Sequence, residues 1–228
     1  MKPMQLPMRP HLLVCGFFSL ALFASTEARP VLAGPPSAAA PTPGVQRIVL
    51  IDAGGQRAME ITQRGDALRI ATPKGEPALL GELHGPGKRK YRLEGAAGAP
   101  VAEVKLKGEP GGADASGFKL RTPDGRLLWK VKLAGDKIKI SADEEGTHPF
   151  VLSLKQSDKV KVTGADERAL GVVHYRAGKR ISVEDAGGHE VYAADSEPRS
   201  ALFGVLLLDA IPARERQILM AEILAAGL

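Results

Sequence analysis

From residue 47 onward, apolar and polar residues alternate in short runs that turn residues interrupt. Ile48-Val-Leu50, Leu68-Arg-Ile70, Tyr91-Arg-Leu93, Phe118-Lys-Leu120, Ile138-Lys-Ile140, Val160-Lys-Val162 and Ile181-Ser-Val183 start at intervals of 20 to 27 residues. Each run leads into a turn such as Asp52-Ala-Gly-Gly55, Thr122-Pro-Asp-Gly125 or Asp185-Ala-Gly-Gly188, and a second short strand follows. These turns supply the positive-φ positions and preset proline angles that tight reversals need. Period-two alternation puts apolar side chains on one face and polar ones on the other. Lys130-Val-Lys-Leu133, Lys137-Ile-Lys-Ile140 and Lys159-Val-Lys-Val162 are the clearest cases. The pattern predicts seven hairpin units, up to fourteen strands, in a meander, barrel or propeller with one dry face.

After Pro198 the period changes. Residues 200–211 are apolar all round apart from Asp209. A helix of that kind is buried on every side, and it falls short of the roughly 20 residues that span a bilayer. Pro212 then opens a second helix, 212–226, with a polar first turn (Arg214-Glu-Arg216) and an amphipathic remainder. A barrel of a dozen strands encloses a lumen its own side chains do not fill, and the apolar helix suits that space. The expected fold is all-β with C-terminal helices: an antiparallel closed barrel of about twelve strands, built from repeated hairpins around a hydrophobic central helix; the alternative is a helix packed on one open face of the sheet, with Asp209 and Gly204 facing out.

The N-terminus reads as an export signal. Lys2 and Arg9 precede a 13-residue apolar run, Leu12 to Ala24, and small residues follow. Cleavage is expected after Ala28 or Ala33, with the second preferred, which gives a signal peptide 1–33, a Pro/Ala-rich linker 34–46 and a folded domain 47–228. The lone cysteine, Cys15, lies in a lipobox-like Leu-Val-Cys-Gly, but most of the apolar run follows it, which speaks against lipidation. Loss of Lys2, Arg9, Glu27 and Arg29 takes the net charge from +5 to +3 and removes the thiol. The expected location is periplasmic or extracellular, with no transmembrane span in the mature chain.

The hairpin run closed by residues 201–211 resembles the tubby-like C-terminal fold, the superfamily of tubby proteins, phospholipid scramblases and LURP-one-related proteins. The resemblance covers residues 47–228. It implies a twelve-stranded barrel around a hydrophobic central helix. The hairpin count runs up to fourteen strands instead, and no counterpart appears of the scramblases' cysteine-rich or calcium-binding segments, so lipid scrambling is not carried over.

Candidate chemistry is sparse. His84, His148, His174 and His189 lack metal-ligand spacing. Asp143-Glu-Glu145 and Glu184-Asp185 lack a calcium-loop pattern and read as solvated turn acids. No nucleophile elbow or phosphate loop is present. Aromatic content of 4% argues against a stacking surface for nucleic acid. The reading assigns no catalytic residue, cofactor or metal. The most suggestive feature is lysine on the wet faces, with Lys130, Lys132, Lys137, Lys139, Lys159 and Lys161 as a candidate anionic-surface site; Lys88-Arg-Lys90, Lys105, Lys107, Lys155 and Lys179-Arg180 lie on the same kind of face. Exposed lysine also guards strand edges against pairing, a competing explanation. The expected function is a monomeric, non-enzymatic exported module that binds anionic lipid or envelope surfaces. The alternatives are an envelope interaction protein without a small ligand, and a hydrolase on an all-β scaffold.

Overall fold

The computed structural model describes residues 45–73, 75–96, 100–107, 116–154, 158–175, 180–195 and 200–227. The expected signal peptide and nearly all of the expected linker lie outside them. Fourteen strands follow one another: β1 Val45–Asp52, β2 Arg57–Arg64, β3 Ala67–Ala71, β4 Leu79–Leu83, β5 Lys88–Leu93, β6 Ala102–Lys107 and β7 Gly117–Arg121. Then come β8 Leu127–Ala134, β9 Lys137–Ser141, β10 Phe150–Leu154, β11 Lys159–Thr163, β12 Ala169–His174, β13 Ile181–Asp185 and β14 Glu190–Ala194. Each strand pairs antiparallel with its sequence neighbours. β14 returns to β1 through Leu50 opposite Ala194, Ile51 opposite Ala193 and Asp52 opposite Tyr192, which closes the barrel.

The alternation read from the sequence is the inside-outside pattern of this wall. Ile48, Leu50, Ile61, Ile138, Ile140, Val160, Val162 and Val183 are at most 3% exposed, while their neighbours face solvent or lie half-buried. A dry interior and a charged exterior is the reverse of a barrel that faces lipid. The strand count is fourteen where about twelve were expected, because every one of the seven hairpins enters the barrel and none is left outside.

Four hairpins share one turn. At Asp52–Gly55, Thr122–Gly125, Gly164–Glu167 and Asp185–Gly188 the first residue donates to the carbonyl four positions on, and the fourth donates back to the first. The β-ladder shifts register beside each of these turns. This is a type I turn with a left-handed bulge residue. Gly55, Gly125 and Gly188 hold that position with φ of 77°, 93° and 80°; Glu167 holds it with φ of 65°.

The apolar C-terminal stretch forms a 3₁₀ helix, Ala201–Leu207, shorter than the helix 200–211 expected. Phe203, Gly204 and Val205 give it little α propensity. It threads between the wall of β10–β13 and the following helix. Gly204 permits that approach, since a Cβ there would sit 2.9 Å from side-chain carbons of both Leu152 and Val162. Ser200 accepts a hydrogen bond from the Leu202 N–H, and the Tyr175 hydroxyl donates to the Ser200 carbonyl, fixing the start of the segment.

The second helix, α1 Ala213–Ala225, departs from the expected amphipathic form. Its first residues are exposed, but every residue from Ile218 to Leu224 is buried. Polarity changes along its axis instead of around it, because its later turns pack against the 3₁₀ helix and the wall while its first turn stays exposed. Its one charged residue beyond the first turn, Glu222, points inward to partners on β5. At the mouth, the Trp129 indole N–H donates to Glu215, and Arg216 bonds the Leu206 carbonyl at 3.1 Å and Asp209 at 2.6 Å. Among the described residues no helix is long and apolar enough to cross a membrane.

Two stability outcomes follow. Replacing Glu167 by Gly removes a left-handed non-glycine residue and should raise stability by roughly 0.5–1 kcal/mol, seen as a higher urea midpoint; a lower midpoint would show that the Glu167 side chain supports the turn. Leu202 is fully buried whereas Leu206 is half-buried at the mouth. Leu202→Asp should abolish folding, since an unpaired buried carboxylate costs several kcal/mol against a total of roughly 5–15. Leu206→Asp should still fold, and loss of far-UV signal in both variants would contradict this account of the segment.

Candidate functional site

Charge is distributed unevenly around the barrel. Strands β6–β11 carry ten cations and a single carboxylate, Glu103. Six of the ten are the predicted lysines; the others are Lys105, Lys107, Lys119 and Arg121. Strands β12–β14 and β1–β4 carry six carboxylates and four arginines. One side wall is therefore strongly basic and the other is mixed.

Register decides which lysines meet. Lys132 on β8 stands directly opposite Lys139 on β9, both exposed. Lys137 and Lys161 flank Ser153 from the two sides of β10. Lys130 is drawn toward the carbonyl of Glu144, and Lys159 stands opposite His174 at the far border of the wall. Four of the six predicted residues thus form one patch and two lie at its margins. Lys155 and Lys179 fall outside the described residues.

Sequence reading missed a second alignment. Lys88, Lys105, Lys119 and Lys130 stand opposite one another in turn on β5, β6, β7 and β8. Each belongs to a recognisable wet face, but the spacings that align them run through loops of different length, so no local signal shows the row. Like charges directly opposite on a sheet are destabilising. Part of that repulsion is relieved. Lys88 pairs with Glu103 at 2.7 Å, Arg121 pairs with Glu144 at 2.7 Å, and Lys119 also bonds Glu144. The Lys119 ammonium, with Arg121 beside it, holds the Glu144 carboxyl below the usual carboxylate range. Among the described residues, Lys105, Lys107, Lys132, Lys137, Lys139, Lys159 and Lys161 have no ion-pair partner. A groove of about 580 Å³ lies over β6, lined by Lys88, Lys105, Lys107, Lys119 and Arg121, with Glu103 its one acid.

The run Lys88-Arg-Lys90 does not lie on the wet face as a whole. Arg89 points inward and is 1% exposed. Its guanidinium donates to Glu222 Oε2 at 2.6 Å and, more weakly, to the Asp66 carbonyl at 3.3 Å. The Tyr91 hydroxyl donates to Glu222 Oε1 at 2.7 Å. Gly81, opposite Tyr91 on β4, makes room for the ring, because a Cβ there would fall 2.6 Å from it. Burial pushes the Glu222 carboxyl above its ordinary range, and the Arg89 charge pulls it back. Burial also pushes the Tyr91 phenol far up. Among the described residues Arg89 Nε has no hydrogen-bond partner. The signal for this network was present in the sequence as a lone glutamate inside the apolar run Ile218–Leu224.

The network locks α1 to the wall. Removing one member of a buried pair leaves the other charged and uncompensated, at a cost of about 3–5 kcal/mol, whereas well-packed apolar replacement of both is often neutral. Glu222→Gln should therefore lower the urea midpoint strongly, and Arg89→Met with Glu222→Leu should recover most of the loss. A double variant no more stable than the single one would show that the network has a role beyond the pair.

At the barrel mouth a second depression, of about 730 Å³, is lined by Leu170, Val191, Tyr192 and Leu206 with Asp52, Asp185 and Asp209. Its acids are already engaged. Asp52 caps its own turn through the Gly54 and Gln56 N–H groups, Asp185 does the same through Gly187 and His189, and Asp209 pairs with Arg216. His174 and His189 each meet one carboxylate, Glu184 at 3.5 Å and Asp185 at 3.3 Å. Among the described residues no three potential metal ligands converge. No family model, curated protein or solved structure matches the chain.

Proposed function

We propose that the chain is an exported, non-enzymatic barrel module of tubby-like type whose basic wall binds an anionic surface, either lipid headgroups or another polyanion of the cell envelope. The observation that carries this reading is the charge asymmetry: ten cations against one carboxylate on β6–β11. The competing explanation, lysines as guards of exposed edges, loses its basis in a closed barrel, which has no edge to guard. Unpaired lysines on adjacent strands sum to a local field that attracts a multivalent anion. A modest net charge on the whole chain does not weaken the argument, since screening confines the interaction to within about 10 Å at 0.1 M salt.

The test is co-sedimentation with vesicles of phosphatidylglycerol and phosphatidylcholine at low and high salt. Pelleting is expected at low salt, lost at high salt, and lost at both when Lys132, Lys139 and Lys161 are changed to Glu. Arg47→Glu and Arg64→Glu on the opposite wall should leave it unchanged. Absence of pelleting at low salt, together with no binding to soluble polyanions, would leave the structural reading, an interaction protein without such a ligand.

A further inference from the structure

The row Lys88–Lys105–Lys119–Lys130 has a geometry that a planar surface cannot use. A barrel wall is nearly straight along its strands and curved across them. The row runs across four strands, around the curve. A flat membrane touching the wall at Lys105 therefore diverges from the two ends of the row. A flexible chain laid across the strands can follow all four positions. Adjacent strands lie roughly 4.8 Å apart, so the row presents one cation per strand over about 14 Å.

We infer that this row is a binding track for a linear acidic polysaccharide, with the groove over β6 seating one charged sugar. A polyuronate, with a carboxylate on every sugar, carries its charges at a spacing near that of the strands. The groove is lined by Lys88, Lys105, Lys107, Lys119 and Arg121. Lys105 is the pivot: it faces a lysine on both neighbouring strands and has no acid of its own among the described residues. The ion pairs of Lys88 and Lys119 relieve that repulsion only in part, and a bound anion would relieve the rest. The row's positions hold no aromatic residue, so nothing in it stacks a nucleobase. This inference rests on the anionic-surface reading and selects among its ligands.

The experiment measures binding of oligogalacturonates of increasing length by the full chain, with anionic vesicles and inorganic phosphate as parallel arms. Affinity should climb with length and level off once the oligomer spans four lysines, with a salt dependence that falls by about one unit of slope on removing one lysine. Lys105→Gln should weaken binding of the long oligomer and raise the melting temperature, because it removes two like-charge oppositions. Arg64→Gln, on β2 of the opposite wall, should leave oligomer binding unchanged. Length-independent binding, or unaltered binding by Lys105→Gln, would overturn the track. So would a Lys105→Gln protein that is both less stable and a poorer binder, since the row would then be structural. Vesicle pelleting that persists when oligomers fail would end the track and keep the broader reading; failure of every arm would end both.

Discussion

A barrel of fourteen strands encloses more space than its own inward side chains can fill, and every other feature of this structure answers that constraint. The 3₁₀ helix and α1 occupy the interior as two connected segments. Their apolar residues join those of the wall in one continuous core. Filling a cavity with helices raises a second problem, since a smooth apolar plug has no preferred depth or rotation. The buried pair of Arg89 and Glu222, with Tyr91 as a second donor, supplies a directional contact where dispersion alone would not. Trp129 and Glu215 provide another at the mouth, two helical turns away. Such polar contacts add little net stability but define one arrangement among several of similar packing.

The strands were legible because their signal is local. A lysine-apolar alternation with a glycine or aspartate turn every twenty or so residues reports the wall directly, and the wall has no long-range crossover to hide. The helices were legible only in part. Burial of Ala201–Leu207 follows from its composition, but its 3₁₀ winding depends on the width of the space beside Leu152 and Val162. The enclosure of α1 was not legible, because Glu222 and the Arg214-Glu-Arg216 turn mimic an amphipathic surface helix. Arg89 was misplaced for a related reason: in a run of four basic residues interrupted by Tyr91, charge obscured the inward parity of position 89.

The candidate site divides in the same way. Which lysines face outward follows from alternation within a strand. Which lysines meet depends on register between strands, and register here passes through connections as different as Gly65-Asp66 and the long link between β6 and β7. The patch of Lys132, Lys139, Lys137 and Lys161 was anticipated as residues but not as neighbours. The row from Lys88 to Lys130 exists only once four separate ladders are aligned. Closure changes the meaning of both groups, since a lysine that would protect an open sheet has no such task on a sheet without ends.

The order of elements has a kinetic consequence. The partner of the first strand is the fourteenth, and the residue that secures α1 to β5 lies more than 130 positions from its partner. Contacts this distant in sequence close late and slowly, because loop entropy must be lost before they form. The early hairpins can assemble as a curved sheet, yet that sheet has an exposed apolar lining until the final helix arrives. The nascent chain thus passes through a stage in which its interior is an open trough, the state most prone to association with other chains. Completion of the native state is gated by α1, which follows all fourteen strands in the sequence, so a chain truncated before Glu222 would be arrested at that stage.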